Sequence, residues 1–119
     1  MTTGLARRLV PDDLWCRTAP LLPSFMSRPQ GGGTAPVPER TVFTAVVFVV
    51  TSGCAWRKLP AAFGVSPATA HRRFAAWTDA GLWERLRAVG QWGAAGCGLE
   101  EWVSVIVQAA EERAGGERN

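Results

Sequence analysis

The sequence is poor in the residues from which metal and redox sites are built. It contains one histidine, His71, and three cysteines that are widely separated and form no CxxC pair. This pattern excludes the usual zinc spacings and argues against a disulfide framework. Aspartate occurs only at positions 12, 13 and 79, which is too few for a two-metal nuclease site, and no phosphate loop or dinucleotide motif is present. We therefore expect no cofactor, no metal and no catalytic residue in this chain.

Long apolar runs and a leader segment are also missing. The longest uncharged run, residues 41–56, has sixteen residues and includes threonine, serine and glycine, so it is too short and too polar to cross a bilayer. The first ten residues carry two arginines with no apolar segment behind them, unlike a signal peptide. Together with the unpaired cysteines, these features predict a cytoplasmic protein with reduced thiols and no membrane contact.

Charge is unevenly divided along the chain, although the formal net charge is only +3. Residues 1–89 carry eleven basic and five acidic side chains, whereas residues 90–119 carry two basic and five acidic ones. A basic body with an acidic tail favours a polyanionic partner for the body. The alternative is chance clustering in an arginine-rich proteome.

The first half of the chain predicts two helices separated by a linker. Apolar residues at helical spacing behind two aspartates indicate a short helix over residues 12–19. Residues 27–38 hold three glycines and three of the prolines and are typical of a flexible linker. The valines and threonines of residues 39–52 favour a strand, but their number, Pro38 before them and Gly53 after them favour a helix. We predict a buried helix.

The second half contains a pattern typical of a helix-turn-helix. A short helix is expected between Pro60 and Gly64, and a second helix over residues 66–80 begins with Ser66 as N-cap and Pro67 at the first helical position. Ala70, Phe74 and Trp77 form the predicted inward stripe of this helix, which places Ala68, Arg72, Ala75 and Asp79 on the opposite face. A further short helix carries Leu82, Trp83, Leu86 and Val89.

Seven residues in and before the second helix are candidate DNA contacts. Arg72 is the first candidate for reading a base edge, because a guanidinium can bond both acceptors of guanine. Thr69 and His71 flank it and could reach bases or phosphates, and Ser66 caps the helix end that must approach phosphates. The remaining candidates are expected to clamp phosphates: Arg57, Lys58 and Arg73. The alternative is that this basic face is only solvated.

The tail predicts a last amphipathic helix, stopped by Gly115 and Gly116. Its apolar side chains offer a seam through which two copies of the chain could form a homodimer: Leu99, Trp102, Val103, Ile106 and Val107. Its glutamates fall on the predicted solvent face, so we do not regard them as catalytic.

Several sequence blocks occur in an order that resembles the N-terminal domain of bacterial insertion-sequence transposases with an RNase H-like catalytic domain. The blocks are LVPDDLW (9–15), APLLP (19–23), TSGCAWRKLP (51–60), FGVS (63–66), HRRF (71–74), Trp77 and GLWERL (81–86). The resemblance implies a helical domain that recognises the ends of a mobile element, with double-stranded DNA as partner. In such transposases a metal-dependent Asp-Asp-Glu site lies further along the polypeptide, and nothing here matches it.

We therefore expect an all-α protein in two parts. Residues 9–89, with the linker inside them, form a transposase-like helix-turn-helix DNA-binding domain, and residues 90–119 form a divergent acidic tail with a separate helix. The expected function is recognition of transposon terminal repeats without catalysis. The chain would be either the first frame of a two-frame element, whose catalytic part is separately encoded or joined by frameshifting, or a truncated remnant. A small transcriptional regulator and a helical protein-interaction module are the alternatives.

Overall fold

A computed structural model describes residues 8–22, 38–89 and 99–118, and in these ranges the protein is all-α, as expected. The helices are α1 (Asp12–Thr18), α2 (Glu39–Ser52), α3 (Pro67–Asp79), α4 (Leu82–Val89) and α5 (Leu99–Arg118). Three short 3₁₀ turns lie between them, at Ala19–Leu21, Trp56–Lys58 and Ala61–Phe63. Most of the predicted 27–38 linker and the glycine-rich residues 91–98 lie outside the described residues, and no described helix is long and apolar enough to span a membrane.

Helix α2 forms the centre of the core, although its composition is that of a strand. Eight of its residues are buried, from Val42 to Val50, so the helix is apolar on nearly every side and other helices surround it. Its threonines remain compatible with burial because Thr44 Oγ1 donates to the Arg40 carbonyl at 2.7 Å. Gly53 ends the helix in the left-handed conformation at φ 78°. The prediction of a buried helix is confirmed.

Aromatic side chains connect the helices around α2. Phe43 lies 5.9 Å from both Trp15 of α1 and Trp77 of α3, measured between ring centroids. Phe74 of α3 lies 5.9 Å from Trp83 of α4. These tilted pairs bury large apolar areas and fix the positions of α1, α3 and α4 on the central helix.

Helix α5 is part of the same core, and the expectation of a separate tail helix is wrong. Val103, Ile106, Val107 and Ala110 are all buried, against α2 and α4. The Trp102 indole Nε1 also donates to the Leu9 carbonyl at 2.8 Å, which ties α5 to the N-terminal segment. The helix is amphipathic, as the sequence predicts, but its apolar face is covered by other helices of the same chain.

The predicted dimer seam is unavailable for the same reason. Val103, Ile106 and Val107 have at most 2% of their surface exposed, so a second chain could reach them only if α5 detached. Trp102 is half-buried, with its indole N–H already bonded to Leu9. The side chain of Leu99 lies outside the described residues.

Helix α5 also continues through the glycine pair that was expected to stop it. Neither Gly115 nor Gly116 has a positive φ, and the helix extends to Arg118. A glycine inside a helix costs about 1 kcal/mol relative to alanine, which does not force a helix to end there. The preceding turns are anchored by buried side chains, and this packing holds the helix.

A candidate nucleic-acid interface on helix α3

The turn before α3 is tighter than the sequence suggested. The expected first helix of the helix-turn-helix is a three-residue 3₁₀ turn, Ala61–Phe63, because Pro60 and Gly64 leave too few residues between them for α-helical bonding. Gly64 takes the left-handed conformation at φ 76°, and its N–H donates to the Ala61 carbonyl at 2.9 Å. Phe63 and Val65 are buried on either side of it. The turn therefore sets the direction in which α3 begins.

Ser66 caps the start of α3, as predicted, and Thr69 is the residue it bonds to. The Ser66 Oγ accepts the Thr69 N–H at 3.1 Å and donates to the Thr69 Oγ1 at 2.9 Å. Pro67 carries no N–H, so in the first turn the Ala68 N–H remains for a ligand. Since Thr69 Oγ1 accepts from Ser66, its own hydroxyl hydrogen is also available to a phosphate or a base.

The faces of α3 are those that helical periodicity predicts. Ala70, Phe74 and Trp77 are buried, whereas Arg72 is exposed between two exposed alanines, Ala68 and Ala75. Within the described residues, Arg72 makes no side-chain hydrogen bond or ion pair. Small neighbours on both sides allow a ligand surface to approach this part of the helix closely, with the guanidinium projecting from it.

The Trp56–Lys58 turn lies against α3 and carries two more exposed cations. The Trp56 ring stacks on His71 with centroids 5.0 Å apart and planes at 28°, and it lies 5.2 Å from Phe74. Arg57 and Lys58, which follow Trp56, are exposed. Their side chains form no hydrogen bond or ion pair within the described residues. The structure thus places Arg57 and Lys58 on an exposed turn that packs against the His71 side of α3.

Arg73 lies apart from this surface. Its side chain is 20% exposed, and Nη1 is 3.6 Å from Glu39 Oε2 at the start of α2. As a phosphate clamp, Arg73 would have to leave that carboxylate. In this conformation it joins α3 to α2.

One further cation, Arg113, lies near this surface and was not among the residues predicted from the sequence. The Arg113 guanidinium of α5 lies over the Trp56 ring, with Cζ 5.1 Å from the ring centroid. Arg113 stands among glutamates in a segment with net negative charge, so neither the charge division nor the resemblance pointed to it. Only the packing of α5 brings it to Trp56.

Groups of three or more histidine, cysteine, aspartate or glutamate side chains that could hold a metal ion do not occur among the described residues.

Comparison with known proteins points to mobile elements. Residues 10–87 match the profile of a family described as "Putative transposase of IS4/5 family (DUF4096)". The chain is also 39% identical over 84 residues to "Insertion element IS402 uncharacterized 16.2 kDa protein" from Burkholderia cepacia. That match covers 69% of this chain and 57% of the relative, so the chain spans little more than half of the relative's length. No solved structure matches significantly.

Proposed function

The chain belongs to the IS4/5 transposase family, and from this premise we propose that residues 9–89 are the DNA-binding part of an insertion-sequence transposase. Their proposed ligand is the double-stranded terminal repeat of the element. The observation that supports this best is the exposed face of α3, where Arg72 projects between Ala68 and Ala75, together with the exposed Arg57 and Lys58 on the turn that packs against this helix. Helix α3, entered through the Gly64 turn, acts as the recognition helix.

The residues of this surface divide between reading bases and holding the backbone. Arg72 enters the major groove, where a guanidinium can bond the N7 and O6 acceptors of guanine. Arg57 and Lys58 contact phosphates on either side, which fixes the register of the protein without reading sequence. Thr69 and His71 line the edge of the recognition face, and the Ser66 cap with the Ala68 N–H brings the positive end of the helix dipole to a phosphate.

Recognition is the step assigned to this chain. Strand cleavage and joining would be carried out by an Asp-Asp-Glu catalytic part of the transposase. Tethering that part to a domain bound at the terminal repeat would direct the chemistry to the element ends.

Substitutions at Arg72 and Lys58 should have different effects on binding. Arg72→Ala removes a base contact, so we expect about 1–3 kcal/mol less discrimination between the terminal repeat and a scrambled duplex. Lys58→Ala removes a phosphate contact, so it should weaken binding to both duplexes about equally. The slope of log affinity against log salt should become shallower by about one. Fluorescence anisotropy titrations with labelled duplexes at several salt concentrations measure both effects.

Arg17, an exposed arginine on α1, provides the control. Arg17→Ala removes the same charge from a helix that packs against the Phe43 end of α2, and it should leave both affinities nearly unchanged. Equal loss of affinity in all three variants would contradict a localised interface, because it would reflect net charge alone.

A further inference from the structure

A cavity of about 260 Å³ lies where the C-terminal end of α3, the start of α4 and the last turns of α5 meet. Pockets for drug-sized ligands measure about 300–1,000 Å³, so this cavity is suited to a single side chain. Helix α3 rises about 1.5 Å per residue, which places its last turn about 9 Å beyond Arg72. Six residues of the cavity wall carry its chemistry: Thr78, Trp83, Glu84, Glu111, Ala114 and Gly115.

Small residues leave the space of this cavity open. Ala114 and Gly115 of α5 line it, and a Cβ added at Gly115 would meet no atom of the described residues within 4 Å. Gly81, which links α3 to α4 in the left-handed conformation at φ 80°, lines it as well. Alanine would stabilise the helix more than glycine does, so Gly115 is not explained by helix formation. Its absent side chain is what keeps this wall of the cavity clear.

The charge of the cavity is negative. Glu84 is exposed, and a Cβ at Gly81 would lie 3.6 Å from its Oε1. Within the described residues the Glu84 carboxylate accepts no hydrogen bond and forms no ion pair. Glu111 adds a second carboxylate, which Arg87 balances, with Oε1 2.8 Å from Nη2. Thr78 stands in the last turn of α3, where the helix dipole contributes further partial negative charge.

The groups of the cavity match an arginine side chain. The Trp83 Nε1 donates to Thr78 Oγ1 at 2.9 Å, so the indole N–H is already used and the carboxylate of Glu84 is the group left to bind a ligand. A guanidinium donates to both oxygens of a carboxylate, and its flat face packs on aromatic rings. A phosphate would instead be repelled by the carboxylates, so the cavity does not fit nucleic acid.

We propose that this cavity binds an arginine side chain of a partner polypeptide, with Glu84 as its counter-ion. A second copy of the chain is a poor source of that arginine, because residues 1–89 carry eleven basic and five acidic side chains and two such bodies repel each other. The proposal goes beyond DNA recognition. It gives α3 two separate roles, with DNA along its exposed face and a protein at its C-terminal end.

Two peptides test the proposal on the full chain. One has an arginine at the centre of a short glycine and serine sequence, and the other has citrulline there, which keeps the shape of arginine without its charge. We expect the arginine peptide to shift the nuclear magnetic resonance signals of the Trp83 indole and the Gly115 amide until they saturate. The citrulline peptide should leave both signals in place. Glu84→Gln should weaken binding of the arginine peptide about 3- to 10-fold.

Matched variants separate the cavity from its surroundings. Gly115→Leu fills the cavity and should abolish the shift of the Trp83 indole, whereas Gly116→Leu, which is not part of the wall, should bind like the parent. Both should keep the thermal unfolding midpoint or raise it, because leucine favours a helix more than glycine does. Glu101→Gln removes a charge from an exposed position at the other end of α5 and should not change binding.

Three results would overturn the proposal. Equal shifts with both peptides would show that the charge of arginine is not recognised. Unchanged binding in Glu84→Gln and Gly115→Leu would place the peptide elsewhere. A dimer of the parent protein that Gly115→Leu dissociates would show that a second copy occupies the cavity. Since Gly115→Leu should bind duplex DNA like the parent, each of these results leaves the proposed DNA recognition unaffected.

Discussion

A chain that ends at residue 98 should lose its cooperative unfolding transition. The truncation removes Val103, Ile106 and Val107, which have at most 2% of their surface exposed, and it uncovers the faces of α2 and α4 beneath them. Burial of each such side chain contributes about 1.5–3 kcal/mol. Their combined loss is comparable to the free energy of unfolding of a whole domain, which is about 5–15 kcal/mol. Urea titration followed by far-ultraviolet circular dichroism and tryptophan fluorescence measures the change.

Two point variants separate burial from helix content. Ile106→Ala should destabilise the protein by about 2–5 kcal/mol, because it leaves a cavity in the core. Val105→Ala, one position away and 49% exposed, should change the free energy of unfolding by less than about 0.5 kcal/mol. A truncated chain that unfolds at the parent urea midpoint would contradict the account, because it would show that α5 does not stabilise the core.

Replacement of Trp77 should show an unusual contrast between alanine and phenylalanine. Trp77 is fully buried against Phe43, and Trp77→Ala should cost about 3–5 kcal/mol of stability. The indole Nε1, however, has no hydrogen-bond partner within the described residues. A buried polar group without a partner costs about 1–3 kcal/mol, so Trp77→Phe removes that penalty while it loses some packing. We expect a net cost below about 1.5 kcal/mol from chemical denaturation.

Trp83 is the matched control for this substitution. It is 3% exposed, and its Nε1 donates to Thr78 Oγ1 at 2.9 Å. Trp83→Phe loses this hydrogen bond and leaves the threonine hydroxyl without its donor, so it should cost more than Trp77→Phe. The reverse order would show that packing volume, rather than hydrogen bonding, decides the effect at both sites.

Much of α3 could be predicted because its signals are local. Ser66 and Pro67 specify the first turn through short-range hydrogen bonding and a fixed φ, and a regular advance of 100° per residue separates Ala70 from Arg72. Burial along α3 follows that advance. The candidate base-reading face therefore needed no knowledge of the rest of the chain.

What could not be predicted depends on contacts between distant residues. The sequence shows that α5 is amphipathic, but an apolar face is satisfied equally by a second chain or by the core of its own chain. Arg113 reaches Trp56, 57 positions earlier, only through that packing. The ion pair of Arg73 also depends on a distant residue, because Glu39 Oε2 lies 3.6 Å from Arg73 Nη1.

The burial of α5 also bears on the rival functions. A regulator that dimerises through residues 99–110 would need the seam that α2 and α4 cover here. The regulator loses the seam on which it depended, whereas a protein-interaction module would use the basic residues of the body, which α5 does not cover.

The most direct test of DNA recognition is a titration of the parent protein with two labelled duplexes, the terminal repeat of the element and a scrambled sequence of equal length. We predict tighter binding to the repeat, with affinity for both falling steeply between about 50 and 200 mM salt. Contacts from Arg57 and Lys58 to phosphates correspond to a slope of about −2 in log affinity against log salt. Absence of binding at the lower salt concentration, or binding that salt does not weaken, would contradict the account.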